Sequence, residues 1–223
     1  MIIAIDGPAA SGKSTVAKEI AKRLSLYYLD TGAMYRALTW KALQEKINLS
    51  DEAALVKLAN NVKISFKEDF VNEKLQVKTY LDGCDVTDEI RLPQVSNCVS
   101  IIAKVPALRR VMVEIQRRMA KGKDVVVEGR DIGTCVFPEA DYKFFLNASA
   151  KKRARRRYLE LKSKGHDVEI SSLEKEIVSR DTIDSTRPTS PLAKACDAYV
   201  IDTTKKTIEQ VIQEILRIVG DES

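Results

Sequence analysis

The stretch that decides the fold is IIAIDGPAASGKST, residues 2–15. Its first four residues, 2–5, are apolar and mostly β-branched, which predicts a buried strand. Residues 7–14 fit the pattern G-x-x-x-x-G-K-[ST]. An apolar residue then recurs at every fourth position from Val16 to Leu24, so an amphipathic helix follows. A strand, a glycine-bounded loop and a helix in this order predict a loop that binds the phosphates of a nucleoside triphosphate.

The loop has the chemistry of a phosphate-binding site. Glycines at its two ends permit backbone angles that a side chain would forbid, and main-chain N–H groups can then converge on a phosphate. The N-terminus of the helix adds partial positive charge, Lys13 can reach the β- and γ-phosphates, and the hydroxyl of Ser14 can ligate Mg²⁺. An ordinary Gly/Ser-rich turn is the alternative, but the strand before the loop and the helix after it argue against a plain turn. We therefore predict Lys13 as a catalytic residue, Ser14 as the metal ligand and Mg²⁺ with ATP as the cofactor. The predicted ATP-binding residues are Gly7, Pro8, Ala9, Ala10, Ser11, Gly12, Lys13, Ser14 and Thr15.

Length and composition bound the class of protein. With 223 residues, the chain can form one large domain or a core with a small insertion. Its hydrophobic content of 44% and its charged content of 31% are typical of a soluble globular protein. No apolar run approaches the length that spans a bilayer, and the N-terminus is already the first predicted strand. We therefore expect no signal peptide, no membrane partner and a cytoplasmic location.

The net charge and the small numbers of cysteine and histidine residues limit which partners and which kinds of catalysis are expected. The net charge of +5 favours anionic partners, either nucleotides or nucleic acid, and does not decide between them. The four cysteines are widely spaced without a C-x-x-C motif, which favours reduced thiols over disulfides or a zinc site. The one histidine, His166, lies in a polar stretch typical of a loop. Catalysis by histidine is therefore not expected.

Short apolar runs indicate the architecture. Runs typical of buried strands recur at residues 26–29, 123–128, 142–146 and 199–202. Because these runs alternate with helical patterns, they predict a parallel sheet covered by helices on both faces. Residues 62–66 and 75–81 instead alternate apolar and polar side chains. That alternation predicts an antiparallel hairpin within an insertion at 61–90.

A second anion site is predicted at the helix that follows the second strand. Asp30 or Thr31 is placed to cap this helix, and Arg36 projects from its first turns. A capped helix with a surface arginine is the alternative, and it is favoured when the helix is considered alone. In a parallel sheet, however, ligands bind beyond the carboxyl ends of the strands, where Thr31, the glycine loop and Arg130–Asp131 all fall. We therefore expect Arg36 to bind an anion.

A strongly basic helix is predicted at residues 149–163. It carries six basic side chains between Lys151 and Arg157. These side chains can form a solvated charged face, a nucleic-acid patch or an arginine-rich lid over the phosphates of ATP. Tyr158 is the only aromatic residue in the segment, which weakens single-strand binding and favours the lid.

Another helix, between residues 171 and 186, carries charge on one face. Arg180, Asp184 and Arg187 are spaced by four and three residues, and a simple ion-pair ladder is the alternative to a binding role. Several guanidinium groups suit a phosphoryl group in transfer, so we expect the acceptor to be a phosphate compound itself. A phosphomonoester is largely dianionic at neutral pH, and its oxygen can attack without a base. That chemistry agrees with the scarcity of histidine.

Four segments in order resemble bacterial cytidylate kinase: GPAASGKST at 7–15, DTGAMYR at 30–36, EGRDIGT at 128–134 and RDTIDSTR at 180–187. The resemblance covers essentially the whole chain, including the insertion, which resembles the enlarged nucleotide-monophosphate domain of that family. It implies an α/β fold of the P-loop NTPase type, with three α/β/α layers and a parallel central sheet. It also implies an inserted NMP-binding subdomain with a small antiparallel sheet, and a helical lid.

The domain organisation implied by the resemblance is one kinase domain over residues 1–223. Its core covers 1–60, 106–148 and 168–223, its NMP-binding subdomain about 31–105 with the antiparallel insertion at 61–90, and its lid about 149–167.

The resemblance also implies an activity: an ATP-dependent kinase that converts CMP or dCMP into CDP or dCDP. ATP and CMP or dCMP are then the partners, and we expect a monomer that binds no nucleic acid.

The resemblance also assigns roles to single residues. The residues implied to hold the acceptor phosphate are Thr31, Arg36, Arg130 and Arg187. Those implied to hold the ribose hydroxyls are Arg180 and Asp184, and those implied to contact the base are Ser100, Arg109 and Asp131. The catalytic residues expected besides Lys13 are Arg130 and the lid arginines Arg153 and Arg157. Some family members have glycine at the position of Ser14.

The chemistry of cytosine supports part of this assignment. Its N4 amino group donates a hydrogen bond that the Asp131 carboxylate can accept, and its N3 and O2 atoms accept hydrogen bonds that an arginine such as Arg109 can donate. Uracil presents an acceptor at position 4 and is therefore expected to bind less well.

Three other functions stay open on the sequence. The nearest is a P-loop kinase for another nucleoside monophosphate or another small acceptor. The basic helix leaves room for an ATPase that depends on nucleic acid. A module that binds a nucleotide without catalysing a reaction is the third.

Overall fold

A computed structural model describes residues 1–71, 74–163, 165 and 167–221. The chain divides into two compact units: the first unit comprises Met1–Tyr28 and Asp124–Ser223, and the second unit comprises Leu29–Lys123. His166, and with it part of the predicted lid, lies outside the described residues. The predicted division into core, NMP-binding subdomain and lid stays a prediction.

The described residues form strands and helices in alternation. The strands are β1 (Ile2–Asp6), β2 (Tyr27–Asp30), β3 (Ile64–Val71), β4 (Lys74–Leu81), β5 (Cys84–Asp85), β6 (Val125–Gly129), β7 (Tyr142–Asn147) and β8 (Tyr199–Asp202). The helices are α1 (Lys13–Leu24), α2 (Thr31–Gln44), α3 (Glu52–Asn61), α4 (Pro93–Ala103), α5 (Pro106–Ala120), α6 (Ala150–Ser163), α7 (Ile170–Thr186) and α8 (Ile208–Asp221). A 3₁₀ turn at Glu89–Arg91 and a π-helical turn at Ile132–Val136 complete the described elements.

A five-stranded sheet forms the centre of the first unit, with the order β2-β6-β1-β7-β8. The strand β1 pairs in parallel with β6 and β7, and β7 pairs in parallel with β8. Ile3, Ala4 and Ile5 have no exposed surface. Because successive side chains of a strand point to opposite faces, both faces of β1 are covered. The predicted α/β fold with a parallel central sheet is confirmed.

Helices of the first unit bury their apolar stripes as the sequence pattern predicts. In α1, Val16 and Ile20 are buried where the helix packs near β6 and α8. The helices α6 and α7 pack on each other through Ala154, Leu173 and Ile177. No helix of the described residues is long and apolar enough to cross a membrane.

The second unit combines helices α2 to α5 with a three-stranded antiparallel sheet of order β3-β4-β5. In its hairpin, Ile64 pairs with Leu81 and Phe66 with Thr79. Ile64, Phe66 and Leu81 are buried, which confirms the predicted hairpin with one apolar face. Asp30 caps α2, because its carboxylate accepts a hydrogen bond of 2.8 Å from the Ala33 N–H.

The end of β1 meets β7 so closely that only glycine fits there. Gly7 has φ +149°, and a Cβ atom built on it would lie 2.1 Å from the carbonyl oxygen of Leu146. The obstacle is backbone of a neighbouring strand, which cannot rotate away as a side chain could. The path of the chain into the glycine loop therefore depends on glycine at this position.

We expect Gly7→Ala to lower the free energy of unfolding by about 3 kcal/mol, because the added methyl group collides with main chain in a packed sheet. Gly122→Ala is the matched control: Gly122 has φ +72° with nothing within 4 Å of an added Cβ. That control should lose only about 1 kcal/mol, the cost of a left-handed backbone with a side chain. Chemical denaturation measures both variants, and equal losses would contradict the steric explanation.

Candidate active site

The glycine loop connects β1 to α1 in the first unit. Gly12 occupies the N-cap position of α1 in a left-handed conformation, with φ 99°. It has no side chain with which to cap the helix, so the first-turn N–H groups of α1 receive no hydrogen bond from the residue that normally supplies one. An anion bound at this helix terminus would meet those N–H groups and the positive end of the helix dipole.

Lys13 is buried against the loop. Its Nζ donates hydrogen bonds to the carbonyl oxygen of Pro8 at 2.7 Å and to the Ser11 Oγ at 3.4 Å. Burial, the largest cause, and the nearby positive charges of Arg130 and Arg180 together lower the pKa of Lys13 to about 7, and the negative charges of Glu128 and Asp6 oppose this shift. A bound anion would favour the charged form of Lys13 and would therefore raise its pKa.

Two carboxylates lie at the ends of adjacent strands next to the loop. Glu128 of β6 accepts hydrogen bonds from the Ser14 hydroxyl at 2.9 Å and from the hydroxyl of the buried Tyr28. Asp6 of β1 accepts hydrogen bonds of 2.8 Å from the N–H groups of Ile132 and Gly133. Burial raises the pKa of Asp6 to about 6, although these two hydrogen bonds oppose the rise.

These groups fit a magnesium site of the kind found with nucleotides. No cluster of three or more acidic, histidine or cysteine ligands occurs among the residues that the structure describes. Mg²⁺ in such sites takes one or two protein oxygens and completes its shell with phosphates and water. The Ser14 hydroxyl and the Glu128 carboxylate are oxygen donors 2.9 Å apart, so they suit this role. The sequence prediction named Ser14 and missed Glu128, whose position at the carboxyl end of a buried strand was the available signal.

Four predicted substrate-binding residues form one network in the first unit. Arg130 Nε donates to Asp184 Oδ2 at 3.0 Å, and Arg187 Nη2 lies 3.4 Å from Asp131 Oδ1. Arg187 Nη1 is also 4.0 Å from Asp184 Oδ1, and its Nε donates to the Ser190 carbonyl at 2.6 Å. Asp131, Asp184 and Arg187 are buried. Asp184 in the last turn of α7 and Arg187, which directly follows that helix, are therefore brought to one place, and the turn after β6 adds Arg130 and Asp131.

The predicted lid arginines have different environments. Arg153 is buried, and its Nη1 donates to the carbonyl of Ala9 at 3.2 Å, while its Nη2 forms an ion pair of 2.6 Å with Asp181. Arg157 instead pairs with Glu160 of the same helix at 2.8 Å. Arg153 thus contacts the loop backbone, and Arg157 contacts its own helix. Their catalytic roles stay predictions.

Predicted residues of the second unit occupy helix positions. Thr31 is the first residue of α2 and is buried, and the half-buried Arg36 lies just over one turn further along. The Nε of Arg36 is buried and has no hydrogen-bond partner within the described residues. The buried Arg109 donates to the Ala103 carbonyl at 3.0 Å, and its guanidinium lies 5.5 Å from the centre of the Tyr35 ring.

Ser100, the remaining predicted contact to the base, is half-buried on α4 in this unit. Its role, and those of Thr31, Arg36 and Arg109, stay predictions.

Comparison with known proteins gives a consistent result. The profile of the family described as cytidylate kinase matches residues 3–221. The cytidylate kinase of Alkaliphilus oremlandii is 51% identical over 216 residues, which cover 97% of this chain and 96% of that protein. That of Desulforamulus reducens is 53% identical over 214 residues, covering 96% and 94%, and that of Geobacillus sp. is 52% identical over 219 residues, covering 98% and 96%.

Among solved structures, an uncharacterized protein from Eubacterium ventriosum resembles this chain in fold. Its TM-score is 0.52 with 12% sequence identity, and the match covers 99% of this chain and 98% of that one.

The environment of Lys13 predicts an unusual titration. In the free protein we expect its ammonium group to lose its proton near pH 7, the pKa that burial imposes. Saturating ATP should raise the midpoint by at least about two units, because the phosphates favour the charged amine. The measurement is an NMR pH titration of the lysine side chains, with the Lys13 signal assigned by its loss in Lys13→Arg. A midpoint near that of an exposed lysine in the free protein would refute the prediction.

Proposed function

The chain belongs to the cytidylate kinase family, and we propose that it transfers the γ-phosphoryl group of ATP to CMP or dCMP. The products are ADP and CDP or dCDP. The observation that carries the proposal is the juxtaposition in the first unit of the glycine loop with the Arg130–Asp184–Arg187–Asp131 network. Arg130 is close enough to Lys13 to lower its pKa, so donor and acceptor phosphates would share one electrostatic field.

The donor binds at the glycine loop. The N–H groups at the start of α1 and the Lys13 ammonium hold the β- and γ-phosphates of ATP. Ser14 and Glu128 would hold Mg²⁺, which supplies charge neutralisation at the β- and γ-oxygens when bound. Tyr28 orients the Glu128 carboxylate through its hydroxyl group.

The acceptor phosphate binds to arginines. Each guanidinium has five N–H donors, so Arg130 and Arg187 can bind phosphate oxygens while they stay paired with Asp184 and Asp131. The acidic partners fix the orientation of the two forks, which suits bidentate recognition of a phosphate. In the second unit, we assign Thr31 and Arg36 to the acceptor phosphate as well. The unsatisfied Nε of Arg36 supports this assignment.

The nucleoside is held by the remaining predicted residues. Arg180 and Asp184 contact the ribose hydroxyls. Asp131 accepts the N4 amino group of cytosine, and Ser100 and Arg109 complete the recognition of the base.

Transfer needs positioning and charge more than acid–base chemistry. The acceptor phosphate is a dianion at neutral pH and attacks in line, so no side chain has to remove a proton. Lys13 and Arg130 offset the charge that develops on the transferring group, and Arg153 and Arg157 of α6 are the lid residues that we assign to the same task.

We include in the proposal a cytoplasmic monomer that needs Mg²⁺ and binds no nucleic acid. The contacts of α6 support the last point. Of the six basic side chains between Lys151 and Arg157, Arg153 is buried against the loop and Arg157 is paired with Glu160, which leaves fewer cations free to face a nucleic acid than the composition suggests.

A panel of acceptors tests the proposal. With ATP and Mg²⁺, CMP and dCMP should be the best substrates, and kcat/KM for UMP should be lower by roughly 5- to 150-fold. The range corresponds to about 1–3 kcal/mol for an acceptor at position 4 that faces the Asp131 carboxylate. Equal rates with AMP or UMP would reject the base assignment. ATP turnover that requires DNA or RNA and ignores CMP would reject the function.

Asp131→Asn tests the residue that distinguishes the bases. The amide can donate a hydrogen bond where the carboxylate cannot, so we expect kcat/KM for CMP to fall roughly 10- to 100-fold and the preference for CMP over UMP to shrink. ATP binding without acceptor, measured by calorimetry, should change less than about twofold. Asp88→Asn, at an exposed position of the second unit, is the matched control and should leave both measurements unchanged. An unchanged preference for CMP in Asp131→Asn would remove Asp131 from base recognition.

A further inference from the structure

The carbonyl oxygen of Ser11 accepts hydrogen bonds from two side chains that are distant in the sequence. It accepts a hydrogen bond of 3.0 Å from Arg156 Nη1 and another of 3.0 Å from the hydroxyl of Thr203. The same Arg156 Nη1 lies 3.0 Å from the Thr203 hydroxyl, and Arg156 Nη2 donates to the Thr203 carbonyl at 2.7 Å. Ser11 and Thr203 are both buried. We call Arg156 and Thr203 the carbonyl clamp.

We propose that the carbonyl clamp is a positioning device for ATP, which acts by fixing the orientation of the Ser11–Gly12 peptide. The proposal rests on the function proposed above, because it requires ATP to bind at the glycine loop.

Peptide geometry connects the clamp to the ligand. In a trans peptide, the C=O and the N–H point in opposite directions. Because the Ser11 oxygen is turned toward Arg156 and Thr203, the Gly12 N–H points away from them. The Gly12 N–H belongs to the row of main-chain donors that a phosphate would meet at the start of α1. If the peptide turned over, a carbonyl oxygen would take the place of this donor and repel the phosphate.

This peptide needs external support because of its sequence. Gly12 lacks a Cβ and occupies φ 99°, so little steric resistance opposes rotation of the peptide that precedes it. Two donors on one oxygen supply the missing restraint. Thr203 is itself anchored, since its N–H donates to the Asn147 carbonyl of β7 at 2.8 Å. The clamp therefore ties the loop to the rigid sheet.

Thr203→Val removes the hydroxyl group with little change of shape and is the central test. We expect ATP binding, measured by calorimetry on the full chain without acceptor, to weaken roughly 3- to 10-fold, the usual effect of one lost hydrogen bond. Thr203→Ser keeps the hydroxyl and should bind ATP within about twofold of the natural chain. CMP binding, measured alone, should stay within about twofold in both variants.

Arg156 is tested on its own helix. Arg156→Met should weaken ATP binding more than Thr203→Val does, because it removes the fork that holds both Ser11 and Thr203. Arg155→Met is the matched control for lost positive charge, since Arg155 is exposed on the same helix; it should bind ATP within about twofold of the natural chain. Arg156→Met combined with Thr203→Val should weaken ATP binding by less than the product of the two single effects, because both changes act on one carbonyl.

Specific results would overturn the proposal. ATP binding by Thr203→Val that equals that of the natural chain would exclude the clamp, as would equal weakening of ATP and CMP, which indicates a general structural defect. A Thr203→Ser variant as weak as Thr203→Val would also exclude it. If the natural chain itself binds no ATP or phosphorylates no CMP, the proposed function fails instead.

Discussion

A loop that binds phosphate through its N–H groups has to place its carbonyl oxygens elsewhere, and much of the first unit follows from this constraint. The carbonyl oxygens of Pro8, Ala9 and Ser11 each accept a hydrogen bond from a lysine or an arginine. Cationic donors are well suited to this task, because they hold the carbonyl strongly and add positive potential where a polyphosphate would bind. The basic residues thus support the ligand both through the backbone and through their charge.

Burying charged side chains near the loop is energetically unfavourable, and nearby groups of opposite charge reduce this penalty. Burial lowers the pKa of Lys13 to about 7 and raises that of Asp6 to about 6, so both groups are held in environments that disfavour their charged forms. Buried ion pairs such as Arg187 with Asp131 often contribute little to stability, because desolvation opposes their attraction. Their concentration at the carboxyl edge of the sheet is therefore better explained by ligand binding than by folding.

Sequence reasoning succeeded where the signal is local. The strand, loop and helix of residues 2–24 and the hairpin of the second unit follow from periodicity within short windows, and the structure confirms them. The partners of the loop lie far away in the chain: Ser14 contacts Glu128 across 114 positions, and Ser11 contacts Arg156 across 145 and Thr203 across 192. No periodicity reports such contacts. The predicted roles of Ser100 and Arg109 depended on resemblance for the same reason.

The basic side chains of α6 look alike in the sequence but have different contacts in the structure. Its run of cations is compatible with a solvated face, a nucleic-acid patch or a lid when only the sequence is considered. The structure separates the side chains by helix face: Arg153 and Arg156, three positions apart, contact carbonyl groups of the loop, whereas Arg155 is exposed and Arg157 pairs with Glu160. Two guanidinium groups on one helix thereby fix two carbonyl groups of one loop. A helix that moved would alter the backbone donors of the loop as well as the charge above them, so the geometry of α6 and the affinity for the donor nucleotide are physically linked.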